Sequence, residues 1–124
     1  MGINELTKEI IGASIEVHRN LGPGLLENSY EECLCHELKL RNIDFDRQYT
    51  RPLTYKGIEL PTSYRLDLLV DKRVVVELKS IDRILPVHEA QLMTYMKHGD
   101  WKVGLIINFN VSVLKQGIRR KIID

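Results

Sequence analysis

Residues 64–79 read YRLDLLVDKRVVVELK and contain the two most apolar strands that the sequence predicts. The runs 64–70 and 74–79 are largely apolar, and the second is rich in β-branched Val, which favours strands. The polar residues 71–73 between them indicate a tight turn. The second run is apolar on both of its faces, which is typical of a strand at the centre of a sheet. The segment therefore predicts a central β-hairpin.

Three charged residues lie inside the apolar stretches 66–70 and 74–79: Asp67, Glu77 and Lys79. Charged side chains are rarely buried without partners, so their presence in such strands needs a reason. Glu77 and Lys79 are two apart and share one face of their strand. If Val70 pairs with Val74 across the turn, Asp67 lies opposite Glu77, with their Cβ atoms roughly 5 Å apart. Two carboxylates at that distance require a proton, Lys79 or a divalent metal between them.

The remaining elements are predicted from hydrophobic periodicity and from glycine and proline positions. Before the hairpin come two helices and a strand, and after it a helix, a buried strand and a short edge strand. Asn4 is the expected N-cap of the first helix. The predicted ranges are 4–20 and 26–40 for the helices, 43–55 for the strand, and then 86–98, 102–109 and 117–123. The order ααβββαββ predicts one α/β (α+β) domain over residues 1–124, with a mixed sheet of about four to five strands flanked by helices.

Two helices carry polar residues in positions that need explanation. Glu27 falls on the stripe of the second helix that contains Tyr30 and Leu34, which should face the core. A position in the first turn, where acids complement the helix dipole, would equally account for it. On the third helix Gln91 and Tyr95 are four apart and share a face, from which both could bind a ligand oxygen. The alternative is a core tyrosine beside a solvated glutamine.

Composition narrows the classes of function. The chain has 124 residues, 44% hydrophobic and 28% charged, which is typical of a folded globular protein. Aromatic residues make up only 6%, too few for a base-stacking platform of several rings. No apolar run is long enough for a membrane span. Cys33 and Cys35 are two apart on a helix and cannot bridge, so two buried free thiols in a reducing cytoplasm are expected.

The formal net charge of +1 does not by itself indicate a nucleic-acid partner. The charge is distributed unevenly, however. Residues 1–40 carry three basic and seven acidic side chains, and residues 41–124 carry fifteen basic and ten acidic ones. Several arginines of the second part could hold phosphates, although a solvated surface is the simpler explanation for each. These are Arg47, Arg51, Arg65, Arg83, Arg119 and Arg120.

Taken together, these motifs resemble a known family. Asp67, followed after nine residues by Glu77-Leu78-Lys79, is similar to the signature of the PD-(D/E)XK nucleases, although Leu66 replaces the proline. Gln91-x-x-x-Tyr95 resembles the extra motif of the RecB-like exonuclease branch. The segment from Gly24 through Glu27 to Tyr30 matches the pattern of the small GxxExxY proteins of that superfamily. The segments 18–24 and 104–109 also resemble this family.

The resemblance implies a restriction-endonuclease-like core of order αβββαβ, which the predicted elements contain. It implies that Asp67, Glu77 and the Leu78 carbonyl bind Mg²⁺ or Mn²⁺, with Glu27 completing the shell directly or through water. Lys79 would orient or help deprotonate the attacking water. Gln91 and Tyr95 would position the nucleic-acid backbone or the metal-bound water.

Three functions stay open at this point. The first is a metal-dependent nuclease that acts on DNA and leaves a 5′-phosphate, as the resemblance implies. The second is a weakly active or silent module that keeps the fold and binds nucleic acid or a protein. The third is a buried ion network of Asp67, Glu77 and Lys79 without catalysis. A domain this small leaves specificity to a protein partner, a homodimer or the shape of the substrate, and no membrane partner is expected.

Overall fold

The computed structural model describes residues 1–124. The elements follow the predicted order ααβββαββ, with a 3₁₀ turn at Leu114–Gly117 before the last strand. The helices are α1 (Ile3–Leu21), α2 (Glu27–Leu40) and α3 (Pro86–Gly99). The strands are β1 (Phe45–Tyr55), β2 (Ile58–Val70), β3 (Val74–Lys79), β4 (Val103–Asn108) and β5 (Ile118–Ile122).

The five strands form one mixed sheet in the order β1-β2-β3-β4-β5. Only β3 and β4 are parallel, because α3 connects them as a crossover, and the other neighbours are antiparallel. β3 therefore lies at the centre, as predicted from its apolar run. The mixed sheet between helices is the expected α+β, restriction-endonuclease-like architecture.

Helices cover both faces of the sheet. The larger core lies between the sheet and the helices α1 and α2, and the smaller core lies under α3. β3 alternates between these cores, with Val74, Val76 and Leu78 toward the first and Val75 toward the second. By this alternation Glu77 and Lys79 lie on the α3 face, where the second core ends. α3 also comes very close to β4, since a Cβ built at Gly104 would lie 2.6 Å from Met96 Sδ.

The turn between β2 and β3 fixes their register. Arg73 N donates to Val70 O at 3.0 Å, and the two central residues, Asp71 and Lys72, have φ of 51° and 55°. Positive φ at both central positions defines a type I′ turn, whose twist matches that of a hairpin. Val70 pairs with Val74 across the three-residue connection 71–73, and the predicted register is confirmed.

β2 departs from strict alternation at Asp67. Leu66 and Leu69 are three apart, yet both belong to the core under α3. On β1 the neighbours Arg47 and Gln48 both reach Glu31 of α2, and Gln48 has φ of 53°. Such a local irregularity in a pair of strands re-aims side chains, as β-bulges commonly do. Periodicity alone had predicted an unbroken strand here.

Three smaller expectations are corrected. Gly2, not Asn4, is the N-cap of α1, because the helix begins one residue before Asn4. Cys35 is buried but Cys33 is only half-buried, although both thiols are free. β2 begins at Ile58, six residues before the predicted start, and residues 58–63 are exposed. This end of β2 pairs only with β1 and has no core to face, so no apolar pattern marks it.

Candidate metal-binding active site

Asp67 and Glu77 contact each other across the central hairpin. The register that pairs Leu68 with Val76 sets Asp67 opposite Glu77 when it is continued by one pair. Asp67 N donates to Glu77 Oε1 at 3.4 Å, and Leu78 N donates to Asp67 Oδ2 at 2.8 Å. Each carboxylate therefore accepts one backbone hydrogen bond and keeps further oxygen lone pairs for a ligand.

Glu77 is in an environment that disfavours its charge. Only 8% of the residue is exposed. The pKa of Glu77 is raised to about 9, mainly by burial and to a smaller extent by the negative charge of Asp67. Lys79 is half-buried, and its positive charge opposes this rise in the pKa of Glu77 too weakly to offset it. Of the three candidates for separating the carboxylates, Lys79 is thus insufficient, and at neutral pH the pair retains a proton unless a metal displaces it.

The donor set fits a hard divalent cation. Two carboxylates on neighbouring strands are the few oxygen ligands that Mg²⁺ needs while it keeps several waters. No group of three or more His, Cys, Asp or Glu side chains is arranged to hold a metal ion. A third carboxylate is therefore not gathered with Asp67 and Glu77 as a direct ligand set.

Glu27 is the residue that was predicted to supply a third carboxylate. It is the first residue of α2 and is exposed, which corrects the prediction that it faces the core. The first turn of α2 extends past the packed core, and burial of this helix begins only at Tyr30. The alternative explanation, an acid in the first turn where the helix dipole favours it, describes its position better.

Tyr30 nevertheless holds the start of α2 near the end of β3. Its hydroxyl donates to Gly22 O at 2.6 Å and accepts from Leu25 N at 3.1 Å, and its ring stacks on Phe109 at 4.4 Å. Ser80, directly after β3, donates through Oγ to Leu25 O at 2.5 Å. The loop before Glu27 is thus attached to the end of the strand that carries Glu77.

The third helix brings a tyrosine to the carboxylate pair. The pKa of the half-buried Tyr95 is raised, mainly by burial and to a smaller extent by the negative charges of Glu77 and Asp67. A hydrogen bond with Gln91, which is itself exposed, acts on the pKa of Tyr95 in the opposite direction. The structure therefore brings Asp67, Glu77, Tyr95 and Gln91 to the same face of the sheet, and Lys79 lies on that face by strand alternation.

Comparison with known sequences agrees with this arrangement. The family model of the PD-(D/E)XK nuclease superfamily matches residues 4–121, nearly the whole chain. The chain belongs to the PD-(D/E)XK nuclease superfamily. No curated protein and no solved structure gives a significant match to this superfamily member. No helix of the chain is long and apolar enough to cross a membrane.

The sequence of this PD-(D/E)XK chain did not reveal the aromatic residues beside the site. Tyr64 stacks on Tyr95 with ring centroids 4.9 Å apart, and His98 meets Tyr64 edge-on at 5.5 Å. His98 lies three residues after Tyr95, so helical spacing could have added it to the Gln91–Tyr95 face. Tyr64 gave no such signal, because its inward orientation depends on the irregularity at Asp67.

A buried carboxylate on the other face was also missed. Glu31 is 5% exposed, and it accepts hydrogen bonds from Arg47 at 2.5 Å and from Gln48 at 2.7 Å. This pairing assigns Arg47 to the packing of α2 on β1 and not to a phosphate. These hydrogen bonds satisfy the buried carboxylate of Glu31, so its burial has a structural explanation.

Proposed function

We propose that this protein is a metal-dependent nuclease that hydrolyses phosphodiester bonds in DNA. The observation that carries the proposal is the contact between Asp67 and the buried Glu77, whose pKa is raised to about 9. Strongly perturbed carboxyl groups cluster at functional sites because ligand binding depends on them. Membership of the nuclease superfamily supports the same reaction.

Each site residue has its own role in the proposed reaction. Asp67 and Glu77 would hold Mg²⁺ or Mn²⁺, with the Leu78 carbonyl as a further ligand and Glu27 contributing through water. When bound, the cation supplies a Lewis acid that neutralises phosphate charge and lowers the pKa of water. Lys79 orients the attacking water and offsets charge that develops on the phosphate. Gln91 and Tyr95 donate hydrogen bonds to the phosphate, and in-line hydrolysis would leave a 5′-phosphate.

The motif from Gly24 to Tyr30 supports a finer placement in the GxxExxY branch. One site cuts one strand, so cleavage of both strands would require a second copy of the chain. The free thiols of Cys33 and Cys35 fit a reducing compartment, and we place the activity in the cytoplasm on that ground.

The test is cleavage of single- and double-stranded DNA and RNA with Mg²⁺, Mn²⁺ or EDTA. We expect metal-dependent cleavage of DNA, and a loss of about 100-fold or more in Asp67→Asn and in Lys79→Gln. Lys102→Gln is the matched control, because Lys102 is exposed just before β4 and pairs only with Asp100. It should cleave as the wild type does.

Two results would contradict the nuclease proposal. Folded wild-type protein that cleaves no substrate with either metal would favour the silent binding module. Cleavage that persists in Asp67→Asn would show that another protein in the preparation is responsible.

A further inference from the structure

A polar pocket of about 500 Å³ lies beside the β1–β2 hairpin and the end of α3. Its lining offers a guanidinium, an imidazole and hydroxyl groups, and no carboxylate. Such donors without an acid are suited to an anion. The lining residues are Tyr49, Thr50, Arg51, Pro52, Thr54 and His98.

Arg51 is the central cation of this pocket. Its guanidinium lies over the ring of Trp101, 5.6 Å from the centroid, and it is not paired with a carboxylate. Stacking on an aromatic face orients a guanidinium and leaves its N–H edge free for a planar or phosphate ligand. Arg47 differs in this respect, because its guanidinium is held by Glu31.

Tyr64 supplies a second, independent observation. It is the cross-strand partner of Arg51 and is only 9% exposed, and its hydroxyl has no hydrogen-bond partner. Burial raises the pKa of Tyr64, and the charge of Arg51 opposes that rise, which places the two groups near each other. An unpaired buried hydroxyl costs free energy that an acceptor oxygen bound at Arg51 would recover.

This pocket is connected to the carboxylate pair through stacked rings. Tyr64 contacts Tyr95, which lies beside Glu77, and also contacts His98 in the pocket. Gln91 and His98 are seven residues apart on α3, which corresponds to about 10 Å along the helix. At that separation the pocket and the carboxylate pair can contact two different phosphates of one strand.

We propose that the pocket at Arg51 binds a second backbone phosphate of the DNA strand, separate from the phosphate at Asp67 and Glu77. The inference rests on the proposed nuclease function, since it assigns a second contact to the same substrate. Arg51 and His98 donate to the phosphate oxygens, and the Tyr64 hydroxyl donates to the same anion. The subsite positions the strand and takes no part in bond cleavage.

The test is binding of labelled single-stranded DNA by fluorescence anisotropy in EDTA, so that cleavage does not enter. We expect Arg51→Gln to weaken binding about tenfold, and to reduce the slope of log affinity against log salt by about 0.7. Arg65→Gln is the matched control, because Arg65 adjoins Tyr64 but is exposed on the opposite face of β2. It should bind DNA as the wild type does.

Tyr64→Phe guards against a purely structural explanation. Removing an unpaired buried hydroxyl should leave the melting temperature unchanged or raise it. Binding of DNA should weaken nevertheless, since the phosphate loses a donor. Trp101 is the single tryptophan, so DNA binding should also change its emission, and this change should be absent in Arg51→Gln.

Several outcomes would overturn the subsite. These are equal affinity of Arg51→Gln and Arg65→Gln, no binding of DNA by the wild type, or unchanged binding by Tyr64→Phe. Inorganic phosphate that changes Trp101 emission as much as DNA does, at equal phosphate concentration, would assign the pocket to a small free anion. Selective weakening by Arg51→Gln in a protein that cleaves nothing would support the subsite and contradict the nuclease proposal alone.

Discussion

Glu77 is the residue whose surroundings most constrain the chemistry of this protein. Its carboxyl group is buried beside Asp67, and both circumstances favour the protonated form. If the pair binds a metal as proposed, protonation and metal binding are alternatives at the same oxygen atoms, and pH selects between them. A site of this kind binds a divalent cation more tightly as the pH rises toward 9.

The same pKa predicts how stability depends on pH in EDTA. The pKa of Glu77 rises from an ordinary value of 4.5 to about 9 on folding. Between these values the folded state holds a proton that the unfolded state releases, so the free energy of unfolding falls as pH rises. We expect a decrease on the order of 1 kcal/mol per pH unit from this group between pH 6 and 8.

Glu77→Gln removes the titrating group and keeps the shape, so its stability should change less over that interval. Urea unfolding at several pH values in EDTA measures both proteins. Parallel pH profiles for the wild type and Glu77→Gln would contradict the raised pKa. Asp46→Asn is the control and should follow the wild type, because Asp46 is a partly exposed carboxylate on β1 that pairs with Lys72.

The hairpin of β2 and β3 is the element that assembles the site. A slip of one residue would move Asp67 to the opposite face, so the type I′ turn at Asp71 and Lys72 is decisive. Lys72 adopts φ of 55° without the freedom of glycine, which costs folding free energy. The turn therefore contains strain that a substitution can relieve.

Lys72→Gly should raise the free energy of unfolding by about 0.5 kcal/mol, because glycine adopts this conformation without the steric penalty. The ion pair lost with Asp46 is exposed and contributes little. Lys72→Ala is the control, since it loses the same ion pair but keeps a Cβ. Equal urea midpoints for the two variants would show that the turn is unstrained.

At this scale the sequence predicted much of the structure. The order of elements, the central position of β3 and the register through Val70 and Val74 followed from apolar runs and turn residues. The break in alternation at Asp67 did not, because it depends on how β1 bends at Gln48 to reach Glu31 of α2. Contacts between distant segments leave no periodic pattern in either segment.

The site was predictable to a similar extent. Two-residue spacing placed Glu77 and Lys79 on one face, and four-residue spacing did the same for Gln91 and Tyr95. Glu27 was assigned to the core face because helical spacing gives a direction around the axis but not where packing along the axis begins. Tyr64 and Arg51 meet only through pairing of the two long strands, which their surroundings in the sequence do not reveal.

For the whole molecule, metal binding and folding should be coupled. A ligand that binds only the folded state stabilises it by about 2.7 kcal/mol at a hundredfold excess over Kd, or roughly 10 °C in Tm for a chain of this size. We expect Mn²⁺ to raise the Tm of the wild type at pH 8. Asp67→Asn should show no such rise, and Asp46→Asn should respond as the wild type does.

Thermal unfolding with Mn²⁺ or EDTA makes this measurement without any nucleic acid. A wild-type Tm that is the same in both solutions would favour the purely structural ion network. In that case Glu77 and Asp67 share a proton permanently, and the pair serves the packing of the hairpin.

The proton on Glu77 also bears on the order in which the complex assembles. With one proton shared, the carboxylate pair carries a single negative charge at neutral pH instead of two. A phosphate that approaches the metal-free protein meets about half the repulsion, so the proposed binding of DNA would not require the cation to bind first. Under the nuclease proposal, the protein would bind its substrate in an inert state, and metal binding with release of a proton would be the event that starts hydrolysis.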